Sequence, residues 1–133
     1  MDITTILKQM TDKEKASLLS GADQWHTKAV ERLGVSSILM TDGPHGLRRQ
    51  VSENDMIGIH PSAPATCFPP AVNLASTFDP DLVREVGRMI AKEAKAEGIS
   101  IVLGPGTNIK RHPFGGRNFE YFSEDPFVSG VMA

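Results

Sequence analysis

Two short apolar segments, each followed by a long polar loop and then a helix, constrain the fold of this 133-residue chain more than any other feature. The segments are VSSILMTD at 35–42 and ISIVLGPG at 99–106, and such runs are typical of strands buried on both faces of a parallel sheet. The repeated strand–loop–helix order predicts an α/β fold in which right-handed crossovers bring both loops to the carboxyl edge of the sheet.

At that edge a (β/α)8 barrel builds its active site, but two strands cannot close a barrel. The chain is therefore either a very small α/β domain or the opening portion of a larger one. A last helix that has barely begun at residue 133 favours the larger domain.

Capping residues mark where the helices begin and end. Thr11 and Glu14 stand in capping-box register after a first helical segment at residues 3–10. Asp79 followed by proline predicts the start of the longest helix, which Gly98 can end in the left-handed conformation. Residues 68–78 allow one short helix, and Ser123 or Asp125 is expected to cap the last. The longest helix carries an apolar stripe with a four-residue repeat: Leu82, Val86, Ile90 and Ala94.

Composition excludes several classes of function. With 14 basic and 16 acidic side chains the net charge is −2, which argues against nucleic acid as a partner. Cys67 is the only cysteine, so no internal disulfide can form, and it is most simply a buried apolar residue. The N-terminal segment lacks the apolar stretch of a signal peptide, and no run could span a bilayer. We expect a soluble, cytoplasmic protein with no membrane partner.

Neither a cofactor nor a metal is predicted. LGPGTN at 103–108 lacks the third glycine of the dinucleotide fingerprint, and a proline interrupts it. The four histidines share no metal-ligand spacing with one another or with the cysteine. All four are expected to be hydrogen-bonding loop residues: His26, His45, His60 and His112. Of these, His45 and His112 are expected near a pocket.

The segment TDGPHGLRR at 41–49 contains the first candidate site residues. Asp42 ends the first strand, and Arg48 and Arg49 follow a short turn later. A carboxylate accepts hydrogen bonds from hydroxyl groups and an arginine donates in a planar fork, so the pair suits a polyhydroxylated ligand. An Asx-turn at Asp42 with solvated arginines is an equally good explanation of the spacing.

Arg117 is the second candidate, in GGRNFEYFSEDP at 115–126. It either faces the same cavity as Asp42, braced by nearby acids, or belongs to an ion-pair cluster that fastens the loop. The residues alone favour the cluster. Glycosidases use paired carboxylates, and Asp42 with Glu120 would be the candidate pair. An arginine beside an acid keeps that acid ionised and unable to donate a proton, so we assign neither residue a catalytic role. The neighbouring acids are Glu120, Glu124 and Asp125.

Three segments together resemble the N-terminal domain of glycoside hydrolase family 3, especially the bacterial β-glucosidases. They are MTDGPHGLR at 40–48, the segment at 64–99 that begins PATCFPP, and VLGPGTNIKRHPFGGRNFEYFSEDP at 102–126. The resemblance implies that residues 1–133 are the first strand–loop–helix units of a partial (β/α)8 (TIM-like) barrel, without the remaining barrel or the second domain. It implies hydrolysis of terminal non-reducing β-D-glucosyl residues with retention, on a β-glucoside or small oligosaccharide.

By the same resemblance, Asp42, Arg48 and Arg117 bind the glucose unit in subsite −1. The family's Lys-His pair, nucleophile and acid/base would all lie beyond residue 133, since KRH at 110–112 precedes the GGRNFE motif. We therefore expect this chain to be inactive by itself. The alternative is a non-catalytic α/β module that binds sugar or self-associates through the open barrel edge.

Overall fold

The computed structural model describes residues 2–51 and 61–133 and has mixed α/β structure with a small sheet. Strands β1 (Met40–Asp42) and β2 (Ile101–Leu103) pair in parallel, with Thr41 opposite Val102. The parallel pairing predicted from the strand–loop–helix order is therefore confirmed. His60 and the middle of the first predicted loop lie outside the described residues.

Two short helices precede β1: α1 (Ile3–Gln9) and α2 (Asp12–Ser17). The predicted capping box is present, because Thr11 Oγ1 accepts from the Glu14 N–H at 3.3 Å and the Glu14 carboxylate accepts from the Thr11 N–H at 2.8 Å. A 3-10 turn at Glu31–Leu33 places Arg32 beside the same carboxylate, and Arg32 Nε donates to it at 2.6 Å. The hydrogen bond from Arg32, followed by that from the Thr11 N–H, lowers the pKa of Glu14 to about 2.

In the described part of the connection from β1 to β2 there are two helices, α3 (Ala71–Ala75) and α4 (Pro80–Ala96). Asp79 Oδ1 accepts from the N–H groups of Asp81 and Leu82, each at 3.0 Å, which fixes the start of α4. Beyond α4, Gly98 has φ +70°, the left-handed conformation predicted for it. After β2, a 3-10 turn at Asn118–Glu120 and helix α5 (Pro126–Met132) complete the order, with Asp125 as the cap of α5.

The described core consists of three small clusters rather than one large one. The first joins α3 and α5 through Leu74, Phe122 and Met132, and Val86 of α4 packs against it. The second holds the N-terminal helices around Met10, and the third packs Leu47 and Ile99 against Ala94. Helix α4 therefore contacts two clusters.

Two predictions about burial are wrong. The side chains of Ile101 and Leu103 are 42% and 48% exposed, so β2 is not buried on both faces. Thr41 in β1 is buried, but a two-stranded sheet has too few neighbours to cover every side chain of both strands. Cys67 is exposed rather than buried. Within the described residues, none of the helices is long and apolar enough to cross a membrane.

Candidate functional site

A cleft of about 660 Å³ lies at the carboxyl edge of the sheet, where both strands end. Its walls are formed by the turn after β1, by residues 63–67, by the residues that follow β2, and by part of the 117–121 segment. Asp42, Arg48 and Arg117 all line this cleft. The predicted convergence of the two loops is therefore present, and it brings the three candidate residues to one cavity.

The turn that joins Asp42 to Arg48 requires glycine. Gly43 and Gly46 have φ of +137° and +134°. A Cβ on Gly46 would lie 2.1 Å from the carbonyl oxygen of Thr66, a distance that no side chain can tolerate. The Arg48 N–H donates to the Asp42 carbonyl oxygen at 3.0 Å and closes the turn. The turn thus holds Asp42 and Arg48 side by side, joined by a backbone hydrogen bond.

The Asx-turn explanation of Asp42 fails on its chemistry. Such a turn needs an N–H two residues after the aspartate, and that position is Pro44, which has none. Pro44 is visible in the sequence, so the sequence alone could have excluded the Asx-turn. Thr41 Oγ1 instead donates to the Arg48 carbonyl oxygen at 2.7 Å, so the neighbouring hydroxyl stabilises the turn.

The two consecutive arginines have different surroundings. Arg48 lines the cleft, whereas Arg49 forms an ion pair with Glu97, the residue directly after α4, and lines a separate, small cavity. The sequence placed both residues in one motif and could not distinguish them. Only the position of α4 separates the cleft residue from the one that fastens the loop.

Arg117 forms its ion pair with Glu120, three residues later. The hydrogen bond and charge of Glu120 raise the pKa of Arg117, with smaller contributions from Tyr121 and Asp42. The Arg117 side chain remains 75% exposed, while that of Glu120 is only 15% exposed. Of the three acids expected to brace this arginine, Glu120 alone is paired with it among the described residues.

The other two acids, Glu124 and Asp125, do not pair with Arg117 and lie in other surroundings. Glu124 lines a second cavity of about 480 Å³, which is also where His112 lies. Asp125 caps α5 by accepting from the Phe127 N–H at 2.8 Å. The wider cluster predicted around Arg117 is therefore wrong, since a helix cap and a different cavity take two of its members.

Aromatic side chains also line the cleft, and they were not among the site residues predicted from the sequence. Phe119 and Tyr121 flank Glu120 on the cleft wall, and Phe119 is 55% exposed. The ring of His45 lies 6.2 Å from that of Phe119 at a 50° tilt, and its Nε2 accepts from the Ala71 N–H at 3.2 Å. The cleft thus combines two carboxylates, two guanidinium groups and aromatic rings, a set suited to a polyhydroxylated ring with polar edges and apolar faces.

Comparison with known proteins identifies the family. Residues 3–133 match the family description "Glycosyl hydrolase family 3 N terminal domain". The chain belongs to glycosyl hydrolase family 3. The relationship covers nearly every residue of the chain, including all three of the candidate cleft residues.

Relatives of this family 3 chain are much longer than it is. It is 59% identical to "Thermostable beta-glucosidase B" of Acetivibrio thermocellus over 133 residues, which are 100% of the chain and 18% of the relative. It is 50% identical to "Exo-alpha-(1->6)-L-arabinopyranosidase" of Bifidobacterium longum over 128 residues, 96% of the chain and 17% of the relative. The chain thus spans less than a fifth of the length of these two relatives.

Solved structures of the family have the same fold over this region. The β-glucosidase of Kluyveromyces marxianus in complex with glucose superposes with a TM-score of 0.88 at 43% identity, over 99% of this chain and 15% of that one. β-Glucosidase 3B of Thermotoga neapolitana in complex with glucose gives a TM-score of 0.85 at 37% identity, over 98% and 20%. Both of these structures are complexes with glucose.

Proposed function

We propose that this chain supplies one wall of the sugar-binding site of a family 3 glycoside hydrolase that cleaves terminal non-reducing β-D-glucosyl residues. The observation that carries the proposal is the meeting of Asp42, Arg48 and Arg117 in one cleft at the carboxyl edge of a parallel sheet. The names of several relatives as β-glucosidases and the glucose complexes of two structural neighbours support it.

The three side chains have complementary roles in this proposal. The carboxylate of Asp42 accepts hydrogen bonds from sugar hydroxyls, while Arg48 and Arg117 donate to hydroxyl oxygens. Hydrogen bonds with one ionised partner are roughly twice as strong as neutral ones, so three such groups hold a glucosyl unit firmly. Glu120 restrains Arg117 through their ion pair, so that less conformational freedom is lost when sugar binds.

The sheet belongs, in the same proposal, to a TIM-like barrel that continues in a longer protein. An apolar groove of about 580 Å³ is lined by residues of α4, α5 and β2, and the side chains of Ile101 and Leu103 are also uncovered. Further barrel elements would cover these surfaces. Self-association through the same surfaces is the alternative, and sedimentation that depends on protein concentration would favour it.

The catalytic carboxylates are proposed to lie outside residues 1–133. A retaining glycosidase needs a nucleophile and an acid/base on either side of the bond, and Asp42 and Glu120 are assigned neither role. The 133-residue polypeptide should therefore release no nitrophenol from nitrophenyl β-glucoside. Measurable turnover by the purified polypeptide would refute this assignment.

Substitution of Arg117 in the full-length protein that contains this chain tests the sugar-binding role. Arg117→Ala should lower kcat/KM for an aryl β-glucoside by about ten- to a hundredfold, since a charged donor to a hydroxyl is lost. Thermal stability should fall modestly, because Arg117 itself is exposed but the Glu120 side chain is only 15% exposed and loses its ionic partner.

Arg88→Ala is the matched control, because Arg88 also pairs with a carboxylate three residues away, Glu85, but lies outside the cleft. It should retain wild-type kcat/KM. If Arg117→Ala also retains kcat/KM, Arg117 only fastens its loop.

The name of the Bifidobacterium longum relative gives a second candidate substrate, an α-L-arabinopyranoside. Both sugars are pyranose rings with several hydroxyl groups, which the same carboxylate and guanidinium groups can bind. The ratio of kcat/KM for nitrophenyl β-glucoside and nitrophenyl α-L-arabinopyranoside in the full-length protein decides between them.

A further inference from the structure

One wall of the cleft, residues 63–67, is attached to α4 through the carboxylate of Glu93. The Thr66 N–H donates to Glu93 Oε2 at 3.2 Å, and the Thr66 hydroxyl donates to Glu93 Oε1. Both oxygens of Glu93 are therefore bonded to one residue of the cleft wall. Two bonds to one carboxylate fix the orientation of Thr66 as well as its distance from the helix.

Thr66 in turn lies against the turn that carries the candidate sugar-binding residues. Its carbonyl oxygen occupies the space that a Cβ on Gly46 would need. The next part of the wall is bonded to the same turn, since the Phe68 N–H donates to the His45 carbonyl oxygen at 2.7 Å. The wall is thus placed between α4 and the turn that joins Asp42 to Arg48.

Apolar packing does not by itself locate this wall. A cavity of about 100 Å³ lies beside this wall, lined by Leu47, Ala63 and Ala65 together with Glu93 of α4 and Glu97, which follows it. Atoms that face a cavity lose the dispersion contacts that close packing would supply. The hydrogen bonds of Glu93 and the ion pair of Glu97 are therefore the contacts that attach the wall at this point.

A second carboxylate, that of Glu97 at the C-terminal end of α4, holds the other end of the same wall. Glu97, one helical turn after Glu93, pairs with Arg49, and the Arg49 carbonyl oxygen accepts from the Ala63 N–H at 2.9 Å. Arg49 follows Arg48 directly. This second attachment keeps the wall bound to α4 when Glu93 is substituted, so a Glu93 variant should fold.

We propose that Glu93 is a positioning residue for substrate binding, which holds Thr66 against Gly46 and thereby keeps Asp42 and Arg48 in the geometry that binds the sugar. This inference rests on the proposed function of the cleft. A displacement of about 1 Å in a substrate-positioning group can lower a rate by about a hundredfold, so a residue outside the direct contacts can affect turnover strongly.

The test measures kcat/KM for an aryl β-glucoside with the full-length protein that contains this chain. Glu93→Ala should lower kcat/KM by at least about tenfold. Glu85→Ala is the matched control, because Glu85 lies on the same helix and pairs with the exposed Arg88 at 3.4 Å. Its kcat/KM should stay within about twofold of wild type, since neither Glu85 nor Arg88 lines the cleft and an exposed ion pair contributes little.

A double-mutant cycle separates positioning from general destabilisation. In an Asp42→Ala background, Glu93→Ala should lower kcat/KM by a smaller factor than in the wild-type background, because one of the two groups that Glu93 positions is already absent. A fall of the full size in that background would overturn the proposal. So would a Glu93→Ala variant with wild-type kcat/KM.

Two substitutions at Thr66 keep the proposal testable if Glu93→Ala does not fold. Thr66→Val removes the hydroxyl that donates to Glu93, whereas Thr66→Ser retains it. Thr66→Val should lose more kcat/KM than Thr66→Ser, and equal losses would contradict the proposal.

Asp42→Ala alone tests the proposed function: if it leaves kcat/KM unchanged, the cleft does not bind sugar through Asp42 and the inference fails with it. A loss for Asp42→Ala but none for Thr66→Val or Glu93→Ala overturns the inference alone.

Discussion

Replacement of Gly46 by alanine should damage the cleft wall in two ways that can be calculated separately. A side chain at φ +134° is strained, at a cost of about 1–3 kcal/mol. The new Cβ would also lie 2.1 Å from the Thr66 carbonyl oxygen, where real Cβ contacts stay beyond 3.0 Å, so the two backbones must separate by about 0.9 Å. Such overpacking costs about another 1–3 kcal/mol, which gives about 2–6 kcal/mol in all.

Gly98→Ala is the matched control for strain alone. Gly98 has φ +70°, and a Cβ there would meet no atom within 4 Å. It should therefore cost only the left-handed strain of about 1–2 kcal/mol. Apparent Tm values for both variants of the full-length protein, measured at one scan rate, should show a clearly larger decrease for Gly46→Ala.

Activity gives a second, independent measurement of the same displacement. Below its unfolding transition, Gly46→Ala should lower kcat/KM for an aryl β-glucoside by about ten- to a hundredfold, because the wall beside Asp42 and Arg48 moves by about 0.9 Å. Gly98→Ala should leave kcat/KM within about twofold, since Gly98 lies outside the cleft. If the two variants match in both apparent Tm and kcat/KM, the contact between Gly46 and Thr66 does not constrain the cleft.

Two further predictions concern stability. Asp79→Ala removes the acceptor for two N–H groups at the start of α4 and should reduce the free energy of unfolding by about 1 kcal/mol, read from the denaturant midpoint, whereas Asp79→Asn should lose less. The pKa of Glu14 is lowered from 4.5 to about 2, chiefly by its hydrogen bond with Arg32, so the folded state binds fewer protons than the unfolded state between these values. The resulting stabilisation is present above pH 4.5 and is lost as the pH falls toward 2. Arg32→Met should therefore make Tm fall less steeply over that interval, and an unchanged slope would contradict the assignment.

Features that depend on neighbouring residues were predicted correctly from the sequence. The capping box of Thr11 and Glu14 joins groups three residues apart, and Asp79 accepts from N–H groups two and three residues later. The left-handed conformation of Gly98 likewise follows from the local end of a helix. Such interactions form wherever the local sequence permits them. The parallel order of β1 and β2 was also predictable, because it follows from a general rule about crossover connections.

The burial of individual side chains could not be predicted from the sequence in the same way. The apolar run of β2 predicted a covered strand and the composition predicted a buried Cys67, yet the side chains of Ile101, Leu103 and Cys67 are exposed. Hydrophobicity reports what a side chain prefers, but its burial depends on which other elements pack over it. The tertiary arrangement of the elements around the two strands decides that, and a local sequence pattern does not contain it.

The sequence by itself determined which chemical groups are available at the carboxyl edge: a carboxylate at Asp42, consecutive arginines after a glycine turn, and Arg117 beside Glu120. Tertiary structure decided which of these groups line the cleft. Arg49 is paired with Glu97, 48 residues later in the chain, while Arg48 remains on the cleft wall. The physical reason is that ion pairs and packing between distant segments depend on how the elements meet, and no local pattern encodes that meeting.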